Sequence, residues 1–341
     1  MTIKKVLITG GAGYVGAVLV PKLLQKGFQV KVLDWYIYGK DVFNKVLDRS
    51  NLIEIKGDIR DDKLLARQLI GVDAVIHLAA ISNDPSFELD RKLSKEINYD
   101  ASISLVKLSK RKKVKRYIYV STSSVYGVKS ERNVSEDLIC DPLTDYSRYK
   151  LQGEKFALAQ RSDEFTVCVL RPATICGYSP RLRLDLTVNM LTIQALVNKK
   201  ITVYGGGQKR PNIHIEDITD LYVQSLRYPA EKINGEIFNA GYDNMSVLGI
   251  AELVKSTLND SKIEIEVTKT DDLRSYHISS KKIREALGFI PKKSIKDAIL
   301  DLKKAYFAGK ILNPLTDKKF YNIQTMKTHT PKFTYVKTEK K

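Results

Sequence analysis

The sequence predicts an α/β protein: a doubly wound parallel sheet joined to a smaller mixed α/β lobe. First, the first half of the chain alternates short β-branched runs with longer segments whose apolar residues recur at helical spacing. Second, those runs are almost continuously apolar, as parallel strands are when helices cover both faces of a sheet. Third, a glycine-rich turn, GGAGYVG, directly follows the first run and precedes a helical pattern. Together these features indicate a Rossmann-type sheet.

The individual elements can be placed in order along the chain. Six strands are expected in the first half, with the sequences KKVLIT, FQVKVLD, LIEIKGD, AVIHLAA, RYIYVST and FTVCVLR. Residues 93–110 and 144–160 carry apolar side chains at helical spacing and are expected to be helices. After Arg171-Pro172 the alternation weakens, and we expect NIHIEDI and EIFNA to be strands that return to the main sheet.

The two lobes are expected to interleave, because the sequence contains no internal repeat and no low-complexity linker. Residues 1–173 plus 213–244 would form the sheet domain. Residues 174–212 plus 245–341, which end in a basic tail, would form the smaller lobe and bind the substrate.

Composition excludes several classes of protein. No run approaches the roughly 18 to 20 apolar residues of a membrane helix, and the N-terminus passes directly into a strand, so we expect no membrane partner and a cytoplasmic location. Three cysteines are too few and too widely spaced for a disulfide framework or a zinc site, and no metal is expected. The net charge of +18 is concentrated at residues 110–116 and in the tail. A helix end and a solvated tail explain both clusters, so we expect no nucleic-acid partner.

The glycine-rich turn is expected to bind a dinucleotide. Gly10, Gly13 and Gly16 stand where the backbone must turn sharply and approach a pyrophosphate, and the helix N-terminus then favours negative charge. Eighteen residues beyond Gly16, the second strand ends in Asp34, whose carboxylate would accept hydrogen bonds from an adenosine ribose and repel a 2′-phosphate. The sequence therefore predicts NAD rather than NADP.

Further cofactor contacts are expected at the ends of the third and fourth strands. Asp58 and Ile59 would reach the adenine, although Asp58 equally suits the N-cap of the next helix. His77 lies within an apolar strand and is expected to be a packed core histidine. Three residues after it would form the floor beneath the cofactor: Leu78, Ala79 and Ala80.

The candidate proton-transfer pair is Tyr146 and Lys150, in DYSRYK. Helical spacing puts them on one face of a helix. The pair follows a strand whose end, YVSTSSVYG, carries hydroxyl residues in the crevice where open α/β sheets bind ligands. The same spacing occurs without such a strand at Tyr36 and Lys40, at Tyr228 and Lys232, and at Tyr306 and Lys310.

Each member of this site has a chemical role. A free phenol has a pKa near 10, and a neighbouring ammonium together with a positive nicotinamide would favour its ionised form. Tyr146 could then exchange a proton with a sugar or alcohol hydroxyl as hydride passes to or from the nicotinamide. Lys150 would tune that pKa and hold the cofactor ribose, and Thr122 would hydrogen-bond the reacting oxygen.

These motifs resemble the extended short-chain dehydrogenase/reductase family, in particular its NAD-dependent sugar-nucleotide epimerases and dehydratases such as UDP-galactose 4-epimerase. The resemblance covers nearly the whole chain, since TGGAGYVG, GDIRDD, HLAA, STSSVYG, YSRYK, GGGQKRPNIHIEDI and RSYHISSKKIREALGF occur in the family's order. It implies a nucleoside-diphosphate sugar substrate and the catalytic residues Thr122, Tyr146 and Lys150. It also implies cofactor contacts from Tyr14, Val15 and Asn98.

Departures from the family pattern narrow the expected reaction. Sugar-nucleotide 4,6-dehydratases carry an acidic residue just after the threonine, where this chain has Ser123 and Ser124. The resemblance therefore favours a 4-epimerase, with a 4-dehydrogenase or 4-ketoreductase as the alternative and a dehydratase less favoured. A non-catalytic cofactor-sensing or RNA-binding relative is least favoured, because both Tyr146 and Lys150 are present.

The smaller lobe is expected to supply the substrate contacts. Arginine forks suit a diphosphate, and Arg210 matches the family's nucleotide-binding arginine. Thr174 stands where family members usually have asparagine. The remaining candidates are Ser82, Ser123, Arg181, Arg183, Asn189 and Arg274. The family also implies a homodimer that pairs through the helices at 93–110 and 144–160.

Overall fold

The computed structural model of the protein describes residues 2–131, 133–270, 275 and 277–329. In chain order, the part up to residue 172 contains β1 (Lys5–Thr9), α1 (Gly16–Gln25), β2 (Gln29–Asp34), β3 (Leu52–Lys56), α2 (Asp62–Gln68), β4 (Ala74–His77), α3 (Asp84–Phe87), α4 (Arg91–Lys95), α5 (Ser102–Arg111), β5 (Arg116–Val120), α6 (Asp145–Ala159) and β6 (Thr166–Pro172). From residue 174 onward it contains β7 (Thr174–Cys176), α7 (Thr187–Asn198), β8 (Lys200–Tyr204), β9 (Lys209–His214), α8 (Ile215–Ser225), α9 (Ala230–Ile233), β10 (Ile237–Ala240), β11 (Asp243–Ser246), α10 (Val247–Leu258), β12 (Glu264–Thr268), α11 (Lys281–Leu287), α12 (Ile295–Phe307) and α13 (Asn322–His329).

Seven strands form one parallel sheet in the order β3-β2-β1-β4-β5-β6-β10. This confirms the expected Rossmann-type fold. Alternate residues of β1 pack on opposite faces: Val6 and Ile8 contribute to one apolar core and Leu7 to the other. The chain reverses its direction of travel across the sheet between β1 and β4, and such a switch point opens a crevice at the carboxyl ends of the strands.

The two long helical segments occur where the sequence places them. Residues 93–110 fall in α4 and α5, which are joined by a π-helical turn, Glu96–Ala101. Helix α6 begins after Thr144, whose hydroxyl accepts from the backbone of Ser147 while the Ser147 hydroxyl bonds the Thr144 backbone. This reciprocal capping fixes the start of the helix that carries Tyr146 and Lys150.

One expected strand lies in a different sheet. EIFNA forms β10 at the edge of the main sheet, as expected, but NIHIEDI is split between β9 and α8. Strand β9 pairs with β7 and β11 in a separate three-stranded sheet, so its expected place in the main sheet is wrong. The alternation of polar and apolar residues indicates a strand but carries no information about which sheet it joins.

A further apolar core lies beneath α7, α10 and α12, beside the parallel pair β8 and β12. Tyr14 of the glycine-rich turn packs into this core, so the turn connects the main sheet to the smaller lobe. Among the described residues, no helix is long and apolar enough to cross a membrane.

Candidate active site

A cavity of about 410 Å³ opens at the carboxyl ends of β1, β2, β4, β5 and β6. It extends from the glycine-rich turn to α6, and residues of β7, β9 and α13 close its other side. The cavity therefore lies at the switch point of the sheet, between the sheet and the smaller lobe.

The glycine-rich turn forms one wall of the cavity. Gly10 has φ of 72°, and a Cβ atom there would lie 2.6 Å from the backbone nitrogen of Ala79, so glycine is required. A Cβ atom at Gly16 would lie 2.1 Å from the Gly11 carbonyl oxygen, so Gly16 serves helix packing behind the turn. The cap residue of α1, Val15, makes no side-chain hydrogen bond, and the start of the helix faces the cavity. Such a cradle fits a pyrophosphate.

Asp34 holds the glycine-rich turn and faces the cavity. Its carboxylate accepts from the backbone nitrogen of Ala12 at 2.9 Å and from that of Tyr36 at 2.7 Å. Burial raises the pKa of the Asp34 carboxyl, and these hydrogen bonds oppose the rise. A carboxylate oxygen has a second lone pair, so Asp34 can still accept from a ribose hydroxyl.

Of the two residues expected at the cofactor after the third strand, Ile59 lines the cavity and Asp58 has a partner within the chain. Ile59 lines the cavity, but the carboxylate of Asp58 accepts from the backbone and the guanidinium of Arg60. Asp61, rather than Asp58, caps α2. The Arg60 guanidinium also lies 5.8 Å from the ring centroid of Trp35, a cavity residue that sequence reasoning missed although it is adjacent to Asp34.

The residues after β4 either line the cavity or hold the lining residues in place. The expected floor residues Leu78, Ala79 and Ala80 line the cavity. The side chain of Asn98 is bonded to the backbone of Ile81, accepting at 2.8 Å and donating at 2.9 Å. Asn98 therefore holds the floor loop in place, and its contact with the cofactor stays a prediction.

His77 is a packed core histidine, as expected. Its Nδ1 lies 2.7 Å from the Thr9 hydroxyl and its Nε2 lies 2.7 Å from the Ser102 hydroxyl. Burial lowers the pKa of the imidazole to about 3, so the ring remains neutral.

Thr122, Tyr146 and Lys150 line the same end of the cavity. Lys150 is 3% exposed, and its ammonium donates to the Val120 carbonyl oxygen at 3.0 Å and lies 5.5 Å from the centroid of the Tyr119 ring. Burial lowers its pKa to about 8. The Thr122 hydroxyl lies 2.8 Å from that of Ser124, and Ser123 and Ser124 also line the cavity.

The other three tyrosines with this spacing lie elsewhere. The Tyr36 hydroxyl donates to Glu54 at 3.1 Å, and the Tyr228 hydroxyl donates to Gln224 at 2.6 Å. The Tyr306 ring packs edge-on against Phe307. They provide matched controls for Tyr146.

Ser82 and Arg183 meet beside the catalytic residues. Arg183 donates to both carboxylate oxygens of Asp185, at 2.9 and 3.1 Å, and to the Ser82 hydroxyl at 3.1 Å. Asn83, with φ of 76°, also donates to Asp185 at 3.0 Å. All four residues line the cavity, so this group forms a polar wall next to Tyr146.

The other expected substrate residues occupy different positions. Thr174, Arg181 and Arg210 line the cavity. Asn189 is buried behind it, where its side chain bonds Gly177, Tyr14 and the Arg183 carbonyl oxygen, so its role is to position this loop. Arg274 lies outside the described residues.

Several cavity residues were not anticipated from the sequence. They come from the loop after β2, from α8 and from the C-terminal helix: Ile37, Tyr38, Tyr222, Asn322 and Met326. Asn322 and Met326 lie too far along the chain from the glycine-rich turn for any local pattern to connect them. Among the described residues, no group of histidine, cysteine and acidic side chains could hold a metal ion.

Comparison with known proteins gives a consistent result. The model of the NAD-dependent epimerase/dehydratase family matches residues 6–241. The UDP-glucose 4-epimerase of Lactobacillus helveticus is 28% identical over 318 residues, which cover 87% of this chain and 94% of the relative. The dTDP-glucose 4,6-dehydratase of Streptomyces niveus is 26% identical over 321 residues, which cover 89% of this chain and 92% of the relative. The solved structure of UDP-glucuronic acid 4-epimerase from Bacillus cereus, in complex with UDP-glucuronic acid and NAD, is 28% identical with a TM-score of 0.79, and the match covers 89% of this chain and 100% of that one.

Proposed function

Since the chain belongs to the NAD-dependent epimerase/dehydratase family, we propose that it is a sugar-nucleotide 4-epimerase that works through a transient 4-keto sugar. It is an enzyme, and its cofactor is NAD. The observation that carries the proposal is the presence of Thr122, Tyr146 and Lys150 at one end of a cavity whose other end is the glycine-rich turn. The relatives include both 4-epimerases and 4,6-dehydratases, so they support sugar-nucleotide chemistry of this family without choosing between the two reactions.

The side chains of this chain can manage the proton at the sugar. Bound NAD supplies a hydride acceptor and donor for C4 of the sugar. Lys150, with a pKa of about 8, is mostly charged at pH 7 and favours ionisation of a neighbouring phenol. Tyr146 removes the proton of the 4-hydroxyl and returns it after the sugar has turned over in the cavity. Thr122 donates a hydrogen bond to the same oxygen.

Elimination of water is less well supported. A 4,6-dehydratase needs a carboxyl group beside C5 and C6, and residues 123 and 124, which follow Thr122, are both serine. Two carboxylates do line the sugar end of the cavity, but both have partners: Asp185 pairs with Arg183, and Asp84 accepts from the Thr144 hydroxyl. The Arg183 guanidinium holds the pKa of the Asp185 carboxyl below its usual value against the effect of burial, which makes it a poor proton donor.

A 4-dehydrogenase or a 4-ketoreductase is the second candidate function. The same three residues would perform either reaction, because all of these reactions pass hydride at C4. They differ in the fate of the cofactor: an epimerase ends each turnover with NAD oxidised, whereas a dehydrogenase releases NADH. A non-catalytic relative has the least support, because both Tyr146 and Lys150 are in place.

The test is a substrate screen of the NAD-loaded protein against UDP-, GDP-, CDP- and dTDP-sugars, with NMR of the products. The proposal expects one sugar to be converted to its C4 epimer without accumulation of NADH. Stoichiometric NADH would identify a dehydrogenase, and a 4-keto-6-deoxy product would identify a dehydratase. Either result would overturn the epimerase proposal.

We also propose that two copies pair through α4–α5 and α6. Tyr149 of α6 and Tyr99 of the π-helical turn are half-buried, and the Tyr149 ring lies 5.7 Å from that of Tyr99 and 5.9 Å from that of the buried Phe87 of α3. Sedimentation at micromolar concentration should report a dimer, and Tyr149→Asp should shift it to monomer. A monomeric wild-type protein would contradict this assembly.

A further inference from the structure

Arg181 is a buried cation that makes no direct ion pair among the described residues, although the Asp185 and Asp34 carboxylates lie near enough to oppose the lowering of its pKa by burial. It is 5% exposed and lines the cavity, and its guanidinium lies 3.6 Å from the ring centroid of Tyr38. One of its nitrogens donates to Asn322, and Nε has no hydrogen-bond partner. In the part of the chain that the structure describes, no ion pair includes Arg181. Because a buried unpaired charge is costly, this group favours an anion from outside the chain.

Arg183, two residues later, lines the same cavity but has a carboxylate partner. Its guanidinium is neutralised by Asp185 and bonded to Ser82, at the end of the cavity that holds Tyr146. Burial lowers the pKa of Arg181 to about 10, whereas Asp185 keeps the pKa of Arg183 above its usual value. The loop therefore presents two arginines to the same cavity: Arg183 has an ion-pair partner, and Arg181 has a nitrogen without a hydrogen-bond partner.

The segment before Arg181 is docked on the glycine-rich turn. The Ser179 hydroxyl donates to the Tyr14 carbonyl oxygen at 2.7 Å, and the Tyr14 hydroxyl donates to the Gly177 carbonyl oxygen at 2.6 Å. Tyr38, on which the Arg181 guanidinium stacks, belongs to the loop that follows Asp34. These contacts put Arg181 beside the turn that fits a pyrophosphate.

Helix α13 holds the arginine in this position. The Asn322 side chain is 2% exposed, accepts from Arg181 and donates to the Ser82 hydroxyl at 2.9 Å. Met326, one turn later, also lines the cavity. The C-terminal helix therefore joins the substrate-lobe loop that carries Arg181 to the floor loop after β4.

We propose that Arg181 binds the pyrophosphate of NAD, and that Asn322 of α13 positions it there. A guanidinium can bond two phosphate oxygens at once, and the unpartnered Nε supplies one of the donors. The proposal rests on the NAD cofactor and on these contacts, and it stands whether the sugar is epimerised, oxidised or reduced. It differs from the expectation that Arg181 binds the diphosphate of the substrate.

The test measures the affinity of nucleotide-stripped Arg181→Gln protein for NAD, for ADP-ribose, for adenosine and for UDP-glucose as a diphosphate-sugar probe. NAD and ADP-ribose should bind about 10- to 100-fold more weakly, as expected for loss of a charge-assisted hydrogen bond. Adenosine, which lacks phosphate, should keep its affinity, and UDP-glucose should bind as it does to the wild type. Arg67→Gln, which removes an exposed arginine of α2, should change none of the four.

Asn322→Ala provides an independent variant, because it frees Arg181 without removing its charge. Asn322→Ala should lower the affinity for NAD and for ADP-ribose by a smaller factor than Arg181→Gln does. If Arg181→Gln fails to fold, Asn322→Ala alone decides the question. Weaker UDP-glucose binding with unchanged NAD binding would assign Arg181 to the substrate and overturn the proposal. Unchanged affinity for both NAD and UDP-glucose would also overturn the proposal. An equal loss of affinity for NAD, ADP-ribose and adenosine would show that Arg181 has only a structural role, and would overturn it too.

Discussion

The two halves of α6 treat buried charge in opposite ways. Lys150 faces the cavity and has a carbonyl oxygen and an aromatic ring as its neighbours. One turn later, Glu154 pairs with the guanidinium of Arg171, both side chains being 3% exposed or less. The Tyr126 hydroxyl accepts from the same guanidinium at 2.8 Å.

This difference separates structural from functional charge. Arg171 and Glu154 satisfy each other within the fold, so the pair needs nothing from outside. Lys150 and Arg181 are left with incomplete partners, and both line the cavity. Buried charge that the chain itself does not neutralise is costly, and its location therefore marks where an ionic ligand completes the structure.

The largest effect should come from the functional half of the helix. Tyr146→Phe removes one oxygen and keeps the ring, so the fold and NAD binding should survive while turnover falls about 10²- to 10⁴-fold, as for other general acid–base groups. Turnover is measured with the sugar nucleotide found by the substrate screen.

The controls for Tyr146→Phe delete the same atom at the other tyrosines with this spacing. Tyr36→Phe, Tyr228→Phe and Tyr306→Phe should retain turnover close to that of the wild type. Near-normal turnover of Tyr146→Phe, together with loss in one of these variants, would show that the proton carrier is misassigned.

A change at Glu154, in the other half of α6, should alter the stability of the fold. Glu154→Gln leaves the Arg171 charge buried without its carboxylate, and we expect the free energy of unfolding to fall by about 3–5 kcal/mol. Urea denaturation measures the change. Glu252→Gln, at an exposed position of α10, should stay within about 0.5 kcal/mol of the wild type. If Glu154→Gln changed the free energy of unfolding as little as Glu252→Gln, the distinction between the two halves of α6 would be contradicted.

Replacing Lys150 should raise the free energy of unfolding, by less than the loss of Glu154 lowers it. Its pKa of about 8 in the folded protein lies below the usual lysine value of 10.5, so between these values the unfolded chain binds more protons and stability rises with pH. Below pH 8 the buried charge carries its full cost. Lys150→Met should therefore stabilise the protein without NAD at pH 7 by on the order of 1–3 kcal/mol.

The pH dependence of this gain identifies its cause. The difference between Lys150→Met and the wild type should shrink as the pH rises from 8 toward 10.5. Lys155→Met, at an exposed position of the same helix, should show neither the gain nor the pH dependence. A destabilised Lys150→Met at pH 7 would mean that the fold itself neutralises Lys150.

The local parts of this arrangement could be predicted from the sequence. Gly10, Asp34 and Thr122 stand at or just beyond the ends of parallel strands, and such ends meet at one edge of a sheet. Helical spacing then brings Tyr146 and Lys150 to the same edge. Each inference needs only the order of the elements and one short motif.

The long-range parts could not be predicted in this way. Asn322 bonds Ser82 across 240 positions of the chain, and the different surroundings of Arg181 and Arg183 depend on such contacts. Asn98 and Asp58 were expected at the cofactor, and the structure shows that their side chains also bond Ile81 and Arg60, which the sequence did not indicate. Residue type suggests a contact, and only the three-dimensional neighbours decide which partner receives it.

The proposed epimerase reaction is tested most directly by a substrate that carries deuterium at C4 of the sugar. If one site removes and returns the same hydride, the C4 epimer should keep its deuterium at C4, with none lost to solvent and none found in released NADH. Mass spectrometry and NMR of the product measure this retention. A product that has lost the label, or that has gained hydrogen from solvent at C4, would contradict the account.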